Sequence, residues 1–393
     1  MDVMVLNPST YLPWELVEGY DSMIWTERYL EASEFKLKSS QIQYTKSKLP
    51  VGTFISLRDS KEVMVVESCN ITEDEEGTKI VEVSGRSYES FLENRVMFAL
   101  EYQKPWKVRK NYRYSEAMAF LIWTYLVSKG NQDASKDVGV ISDKYGLENV
   151  CVSLSTSVSE QPQELWFEAG NVYDKFLEFG NLGKLGIRCI RPSEGTAKVV
   201  HFDISAATSR GNMLSESKAG ITELRFDIFT GVNRTKDQTN RKPVIFHYSS
   251  GDLKTPSYLE SIKDYKTSVM VVSSIGAWEI FPSANSDTTI AGTRRRQLFM
   301  DGGSPAENQT NDDFVKQFTE LARKELAAHK KVHLFDGEVS PTSQYVYGRD
   351  YFLGDKISII AEFDFVENMQ VTEYIRTEDV EGDRGYPTLS IIE

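Results

Sequence analysis

Apolar and polar residues alternate in short runs through the first ninety or so positions. Glu34–Gln43 opens with Phe35 and Leu37 on one face and Lys36 and Lys38 on the other, the period of a half-buried strand. Thr53–Leu57, Glu62–Ser68 and Lys79–Val83 follow at short intervals and predict further strands. The turn Thr72–Gly77 (TEDEEG) is acidic and ends in glycine, the composition of a solvent-facing hairpin. Strands this short and this closely spaced predict a small antiparallel barrel or sandwich. Gly85-Arg86-Ser87 breaks the pattern, and Ser87 is placed to cap a helix carrying Phe91, Leu92 and Val96.

Helical spacing then takes over. Ser115–Ser128 reads as a mostly buried helix capped by Ser115, and Asn171–Phe179 as a second helix stopped by Gly180. Strand patterns return at Lys184–Arg191, Lys198–Ile204, Leu224–Phe229, Lys242–His247 and Ser268–Val272. In Asp312–Lys331 the residues Phe314, Val315, Phe318, Leu321, Ala322 and Leu326 fall at helical spacing, with Asn311 or Asp312 as cap. Tyr351 to Ile392 is strand-rich again. The expected fold class is α+β, mainly β, with two small antiparallel β-barrel domains and peripheral α/β domains. The expected division is a first barrel over 1–98, a helical peripheral domain over 99–180, and a second barrel over 181–393. That last part carries an inserted peripheral segment at about 205–265 and an amphipathic helix at 312–331.

One pattern occurs twice. Val66 is followed by Thr72-Glu73-Asp74-x-Glu76-Gly77 and the strand KIVEV; Val371 is followed by Thr377-Glu378-Asp379-x-Glu381-Gly382 and the strand TLSI. Upstream, Gly52-x-x-Ile55-Ser56-Leu57 matches Gly354-x-x-Ile357-Ser358-Ile359 with a register shift of three. Two readings stand: duplication of a β-domain, or convergence on acidic turns that end in glycine. Under duplication, a cyclic trimer would present six similar units around one axis.

Composition narrows the function classes. The 393 residues are 40% apolar and 26% charged, which excludes wholesale disorder, a collagen repeat and a heptad rod. The net charge of −13 is opposite in sign to the footprint of a general nucleic-acid binder, and an acidic leaflet would repel it. The longest apolar stretch, Ala117–Val127, is too short to span a bilayer. The first twenty residues lack the basic region of a secretory leader. Cys69, Cys151 and Cys189 lie far apart with no Cys-x-x-Cys, as expected of core thiols in a reducing compartment.

Candidate chemistry is sparse. His329 and His333 stand four apart, but no further Cys or Glu-x-x-His pattern completes a zinc site. Glu160 with Glu164, or Asp301 with Glu307, could supply a glycosidase carboxylate pair; 58 acidic residues make such pairs common by chance. No nucleophile elbow, phosphate loop or dinucleotide glycine pattern is present. The basic, aromatic stretch Lys104–Arg113 reads as a single-strand nucleic-acid platform or a grip on an acidic partner, or else as a solvated connection after the first barrel with Trp106 packed against it. Arg294, Arg295 and Arg296 pair across a subunit boundary or lie exposed. Trp25, Arg28 and Tyr29 are interface anchors or, for Trp25 and Tyr29 at a spacing of four, one face of a core helix. Gly348, Gly354 and Asp355 shape a tight turn into the last β-domain.

Several of these residues sit in a set of ordered segments. Ser22–Leu37 (SMIWTERYLEASEFKL), VMVVES followed by VSGRSYESFL with Gly85 and Arg86, and YGRDYFLGDKIS with Asp350 and Tyr351 resemble the siphophage Gp37-like tail hub proteins. That family is similar in turn to phage baseplate hub proteins. FTGVNRTKDQ, PVIFHYSSGDL, DYKTSVMVV and GTRRRQLFMD fall in the expected order between them, with Thr267 standing where the resemblance leads one to expect Asn. The resemblance covers nearly the whole chain. It implies a structural, non-enzymatic protein without cofactors: a homotrimeric, pseudo-six-fold ring at the distal end of a phage tail. Its implied partners are its own copies, the distal tail protein or tail tube protein, the tape-measure protein, and tail-tip, spike or receptor-binding proteins. DNA would pass only in transit, and no membrane is involved. A tail-associated cell-wall hydrolase and a carbohydrate- or receptor-binding module are the competing readings.

Overall fold

The alternation in Glu34–Ser39 becomes a strand with Phe35, Leu37 and Ser39 buried and Glu34, Lys36 and Lys38 exposed. The continuous apolar run Val63–Val66 is buried on both faces: Val63 and Val65 enter one cluster, Met64 and Val66 another. The computed structural model in which these elements are seen describes all residues except 74–76, 98–106, 128–146, 148, 156–159, 193–195, 203–212, 221–222, 284–285, 308, 341–342, 361–365 and 392–393. The chain forms two compact units, Met1–Thr255 with Gly337–Glu393, and Pro256–Asp336.

A 13-stranded sheet draws most of its strands from the first unit. Its order runs Pro13–Val17, Val3–Leu6, Phe54–Leu57, Met64–Glu73, Lys79–Ser87, Glu34–Ser39, Ser22–Arg28, Val366–Asp379, Gly382–Ile391, Val332–Val339, Leu253–Ser261. Lys356–Ile360 also pairs with Val366–Asp379, and Ile245–His247 pairs with Lys356–Ile360. The sheet therefore has two halves in which corresponding strands follow one another in the same chain order and the same spatial order. Ser22–Arg28, Glu34–Ser39, Lys79–Ser87, Met64–Glu73 and Phe54–Leu57 correspond to Leu253–Ser261, Val332–Val339, Gly382–Ile391, Val366–Asp379 and Lys356–Ile360; the outermost strands differ, since Val3–Leu6 lies antiparallel to Phe54–Leu57 and Ile245–His247 parallel to Lys356–Ile360. Among the described residues the pairings close no barrel, so the two barrels expected from the sequence are here two like halves of one sheet.

The likeness extends to single hydrogen bonds. The Gly52 N–H donates to the Val66 carbonyl and the Val66 N–H to the Thr53 carbonyl, at 2.8 and 2.9 Å. The Gly354 N–H donates to the Val371 carbonyl and the Val371 N–H to the Asp355 carbonyl, at 2.8 and 3.0 Å. Both glycines have positive φ, +92° and +79°. Each long hairpin has its register irregularity one residue later, between Val66 and Ser68 and between Val371 and Glu373. Convergent acidic turns would not reproduce a bulge and a paired clamp at matched positions; duplication does. After the turn the match moves by one residue: Cys69 pairs with Val83, whereas the corresponding Tyr374 pairs with Pro387. In the first half residues 29–33 join the second strand to the third. In the second half residues 262–331 do so, and they carry most of the Pro256–Asp336 unit.

The rest of the first unit packs on one face of the first half. A five-stranded sheet, ordered Gly186–Ile190, Leu224–Phe229, Val150–Ser155, Thr196–Phe202, Met213–Gly220, shares a core with the helices Tyr114–Ile122 and Val172–Gly183 and with Leu6, Val63, Val65 and Tyr88. In the Pro256–Asp336 unit a three-stranded sheet of Gly276–Ile280, Ser268–Ser273 and Gln297–Gly303 buries Val269 and Val271 against Phe314, Phe318, Ala322 and Leu326 of the helix Asn311–Ala328.

Helix limits are where the sequence reading needs correction. The strand at Glu34 ends at Ser39, and Ile42–Lys48 is a helix that alternation did not announce. Ser87 does not cap with its side chain, because its hydroxyl accepts the Ser33 N–H at 2.9 Å; the following Tyr88–Asn94 is a 3-10 turn. Ser115 lies inside the first turn of its helix, whose cap position is Arg113. Val172–Gly183 runs through Gly180, whose missing side chain admits Leu30, and stops at Lys184 in the left-handed region. Asn311–Ala328 is capped by Thr310, whose hydroxyl accepts the Asp313 N–H at 3.2 Å, and its Leu321 faces outward.

Gly85 stands opposite the first bulge, and a Cβ there would lie 1.8 Å from the Val65 carbonyl oxygen. Gly85→Ala is expected to lower stability by about 2–3 kcal/mol, since backbone cannot retreat as a flexible side chain can. Urea unfolding of the two proteins checks this; an unchanged midpoint would contradict the packing described.

Candidate functional site

A strand directs alternate side chains to opposite faces, and Ser22–Arg28 is a strand, not the helix considered for Trp25 and Tyr29. Trp25 is fully buried and stacks on Phe35 with ring centroids 6.1 Å apart. Its indole N–H donates to Glu27 at 3.3 Å, and the other Glu27 oxygen accepts the Tyr347 hydroxyl at 2.8 Å. Tyr347 stacks on Tyr374 at 3.7 Å, and the Arg376 guanidinium lies 5.6 Å from both ring centres and 3.8 Å from Glu27. Through these residues the first half of the sheet meets the second. The strand Ser22–Arg28 lies antiparallel on Val366–Asp379, from Arg28 opposite Glu373 to Met23 opposite Glu378. Arg28 closes the end of this ladder with ion pairs to Glu373 at 2.7 Å and Glu34 at 2.6 Å.

Tyr29, just past the strand, ties three elements together. Its N–H donates to the Thr372 carbonyl, its carbonyl accepts the Ile187 N–H, both at 2.8 Å, and its hydroxyl donates to the Lys184 carbonyl at 3.0 Å. The ring meets Phe229 edge-on at 5.3 Å. Two glycines make the room: a Cβ on Gly186 or Gly354 would stand 2.3 or 2.2 Å from the Tyr29 ring. Burial pushes the Tyr29 hydroxyl up to about 12. Beside it, buried Asp355 accepts the Arg234 side chain at 2.7 Å and the N–H groups of Val232 and Phe352 at 2.7 and 3.1 Å. Gly231 completes the fit, since a Cβ there would overlap the Gly354 carbonyl at 1.7 Å.

Buried carboxyls stand within electrostatic reach of this seam. Glu62 is pushed well above the usual range by burial and then by the nearby charges of Glu27 and Glu89. Burial alone raises Glu89 to about 7, and neither of its oxygens has a hydrogen-bond partner among the described residues.

The other expected residues fall elsewhere or play local parts. Tyr351 is fully buried between Phe246 and Tyr347, at 5.3 and 5.5 Å, and belongs to the seam. Gly348 has φ of +83° and its N–H donates to the Tyr351 carbonyl; Asp350 accepts the Val346 N–H at 2.9 Å and pairs with Arg349. Arg86 holds the bulged Glu67 at 2.8 Å and Glu93 at 2.7 Å. Arg294, Arg295 and Arg296 lie in the Pro256–Asp336 unit. There Arg295 pairs with Glu279 at 2.5 Å, Arg296 donates to the Lys263 carbonyl at 3.2 Å, and Arg294 is exposed. Thr267 bonds the backbone of Arg296 in both directions, 3.0 Å each way through its hydroxyl. Glu27, Tyr347, Tyr374, Arg376 and Arg234 escaped the sequence reading; Glu27, Tyr347 and Arg234 stand inside quoted segments, but nothing local marked them.

The catalytic candidates do not converge. Glu160 accepts both the N–H and the hydroxyl of Ser115 at 3.1 Å, and Asp301 accepts the Gly303 N–H within its own turn. Glu307 is exposed. The side chains of Glu164 and His333 lie outside the described residues, as do residues 104–106 of the basic stretch. His329 stands beside the Asp264 carbonyl at 3.1 Å, and no metal-holding group of His, Cys, Asp and Glu occurs among the described residues. No helix among the described residues is long and apolar enough to cross a membrane. What the arrangement does is join two half-sheets rigidly.

Known proteins share the whole architecture. A family profile described as Siphovirus ReqiPepy6 Gp37-like protein matches residues 2–388. The crystal structure of the prophage MuSo2 43 kDa tail protein from Shewanella oneidensis is similar at a TM-score of 0.55 and 12% identity, over 100% of this chain and 98% of that one. The tail protein from Neisseria meningitidis MC58 is similar at 0.52 and 11% identity, over 99% of this chain and 96% of that one. No curated protein sequence matches significantly.

Two outcomes are expected at the site. Asp355→Ala leaves the Arg234 guanidinium uncompensated and should cost about 3 kcal/mol or more, read as a lowered unfolding midpoint. Glu89 gives a pH signature. Its folded pKa of about 7 lies above the model-peptide value of 4.5, so the native state holds a proton that the unfolded chain releases between these limits. Stability is then full below 4.5, falls as pH rises towards 7 and stays reduced above. Glu89→Gln should stabilise the protein by on the order of 1–3 kcal/mol at pH 8 and by little at pH 4.5. An equal effect at both pH values would contradict this.

Proposed function

The chain belongs to the siphovirus ReqiPepy6 Gp37-like family, and we propose that it is a structural component of a phage tail: a hub at the distal end of the tail, in the virion. In this reading three copies form a ring that joins the hexameric tail tube or distal tail protein to the tail tip and surrounds the DNA path. The observation that carries the reading is the duplicated half-sheet. A chain with two like halves, repeated three times around an axis, presents six similar units, which lets a three-fold object face a six-fold tube. The fold shared with two tail proteins supports the tail context. The barrel expected from the sequence belongs to the assembly here: half-sheets from neighbouring copies would continue one another around the channel.

Partners follow from the same geometry. One face of the ring would meet the tube or distal tail protein, the other the tail-tip, spike or receptor-binding proteins, with the tape-measure protein in or near the opening. The net charge of −13 suits a channel through which DNA slides without being gripped. The protein in this reading performs no reaction. Cell-wall hydrolysis gains no support from Glu160, which accepts the N–H and hydroxyl of Ser115, or from Asp301, which accepts the Gly303 N–H.

Light scattering or native mass measurement of the purified chain tests this, alone and with the neighbouring ring protein added. The expected species is three times the 44.7 kDa of one chain. A monomer or dimer under both conditions would contradict the reading.

A further inference from the structure

The two half-sheets differ in one respect that points to a partner. On Val366–Asp379 the stretch Glu373–Glu378 is paired on both sides, with Gly382–Ile391 and with Ser22–Arg28. The corresponding stretch of the first half is Ser68–Glu73. It pairs with Lys79–Ser87 on one side, and no strand pairs with its other side among the described residues. Exposure follows the pairing: Glu373–Glu378 are all half-buried, whereas Ser68, Asn70, Ile71, Thr72 and Glu73 are exposed. The strand corresponding to Ser22–Arg28 in the second half is Leu253–Ser261, which ends the sheet order and is paired on one side only among the described residues. Each chain thus makes one joint internally and carries the two separated halves of a second.

We propose that the edge Ser68–Glu73 is the docking site for the strand Leu253–Ser261 of a second copy of this chain, added antiparallel as Ser22–Arg28 is added to Glu373–Glu378. This rests on the trimeric ring reading and deepens it by naming the strands that meet. Edge strands otherwise invite uncontrolled pairing and are commonly blunted by lysine, proline or a covering element. Ser68–Glu73 (SCNITE) has neither lysine nor proline and exposes Ile71 by 43%; Leu253–Ser261 carries Lys254 and Pro256 near its start and, beyond them, Tyr258 and Leu259 exposed by 45% and 50%. The two edges are different surfaces, so the contact is head-to-tail and must close into a ring or grow into a filament. Three copies supply three internal and three intermolecular joints, all of one kind.

The internal joint also sets the phase of hydrogen bonding. The Tyr29 N–H bonds the Thr372 carbonyl, and bonded pairs recur every second residue in an antiparallel ladder. Tyr374, Arg376 and Glu378 therefore face Ser22–Arg28, and by correspondence Cys69, Ile71 and Glu73 turn their N–H groups to the open edge. Asn70 and Thr72 bond within their own hairpin.

Residue-resolved hydrogen exchange of the full chain, above and below its assembly concentration, tests the proposal. The amides of Ile71 and Glu73, with alternate amides in 253–261, should slow by about tenfold or more on assembly, while those of Asn70 and Thr72 stay protected in both states. Ile71→Pro removes one outward N–H and should leave the monomer's unfolding midpoint unchanged while abolishing the trimer. Assembly without added protection at Ile71 and Glu73 overturns the proposal and leaves the ring reading standing. A chain that stays monomeric at every concentration, with its ring neighbour present, overturns both.

Discussion

The lodging of Tyr29 between Gly186 and Gly354 is the contact on which the rest of this architecture depends. A tyrosine that bonds Thr372 and Ile187 through its backbone and Lys184 through its hydroxyl fixes three separate stretches at one point. Its ring fits only because two glycines leave the space, and Gly354 sits there only because Gly231 lets the backbone pass. Asp355 then holds the crossing with Arg234 and two N–H groups. Close packing of this kind is intolerant of added volume, so the relation between the half-sheets is set with little play.

That close packing suits the proposed ring, in which a joint repeated around an axis must hold its angle because small errors add with each step. The internal joint meets this need with a ladder, an aromatic stack of Tyr347 on Tyr374, and a Glu27–Arg376 pair sheltered beneath it. Buried ion pairs add little net stability, but they penalise wrong arrangements that would separate the charges. Duplication followed by divergence also explains the second compact unit. It grows from the connection that in the first half is the short loop 29–33, leaving the strand order of the sheet intact.

Much of this was legible in the sequence, and the reason is locality. Alternation placed Phe35 and Leu37 correctly, helical spacing found the buried face of Asn311–Ala328, and the repeated TED-x-EG turn marked the two hairpins. What stayed hidden depends on distant partners. Trp25 and Tyr29 at a spacing of four fit a helix as well as a strand until the pairing with Glu373–Glu378 is known. Ser87 looked like a cap, but its hydroxyl goes to Ser33. The one-residue slip after the repeated turn is invisible because the turns differ in length while their motifs agree. Gly186, Gly231 and Gly354 acquire meaning only when Tyr29 is placed among them.

The claim at the centre is that the two hairpins are equivalent units of one ring. Electron cryo-microscopy of the assembled chain measures this directly, through the rotational symmetry of averaged end-on views. Three-fold symmetry is expected overall, with an inner layer formed by the hairpins Met64–Ser87 and Val366–Ile391 that repeats at six-fold spacing. An inner layer with three-fold repeat alone, or hairpins at unequal radii, would contradict it.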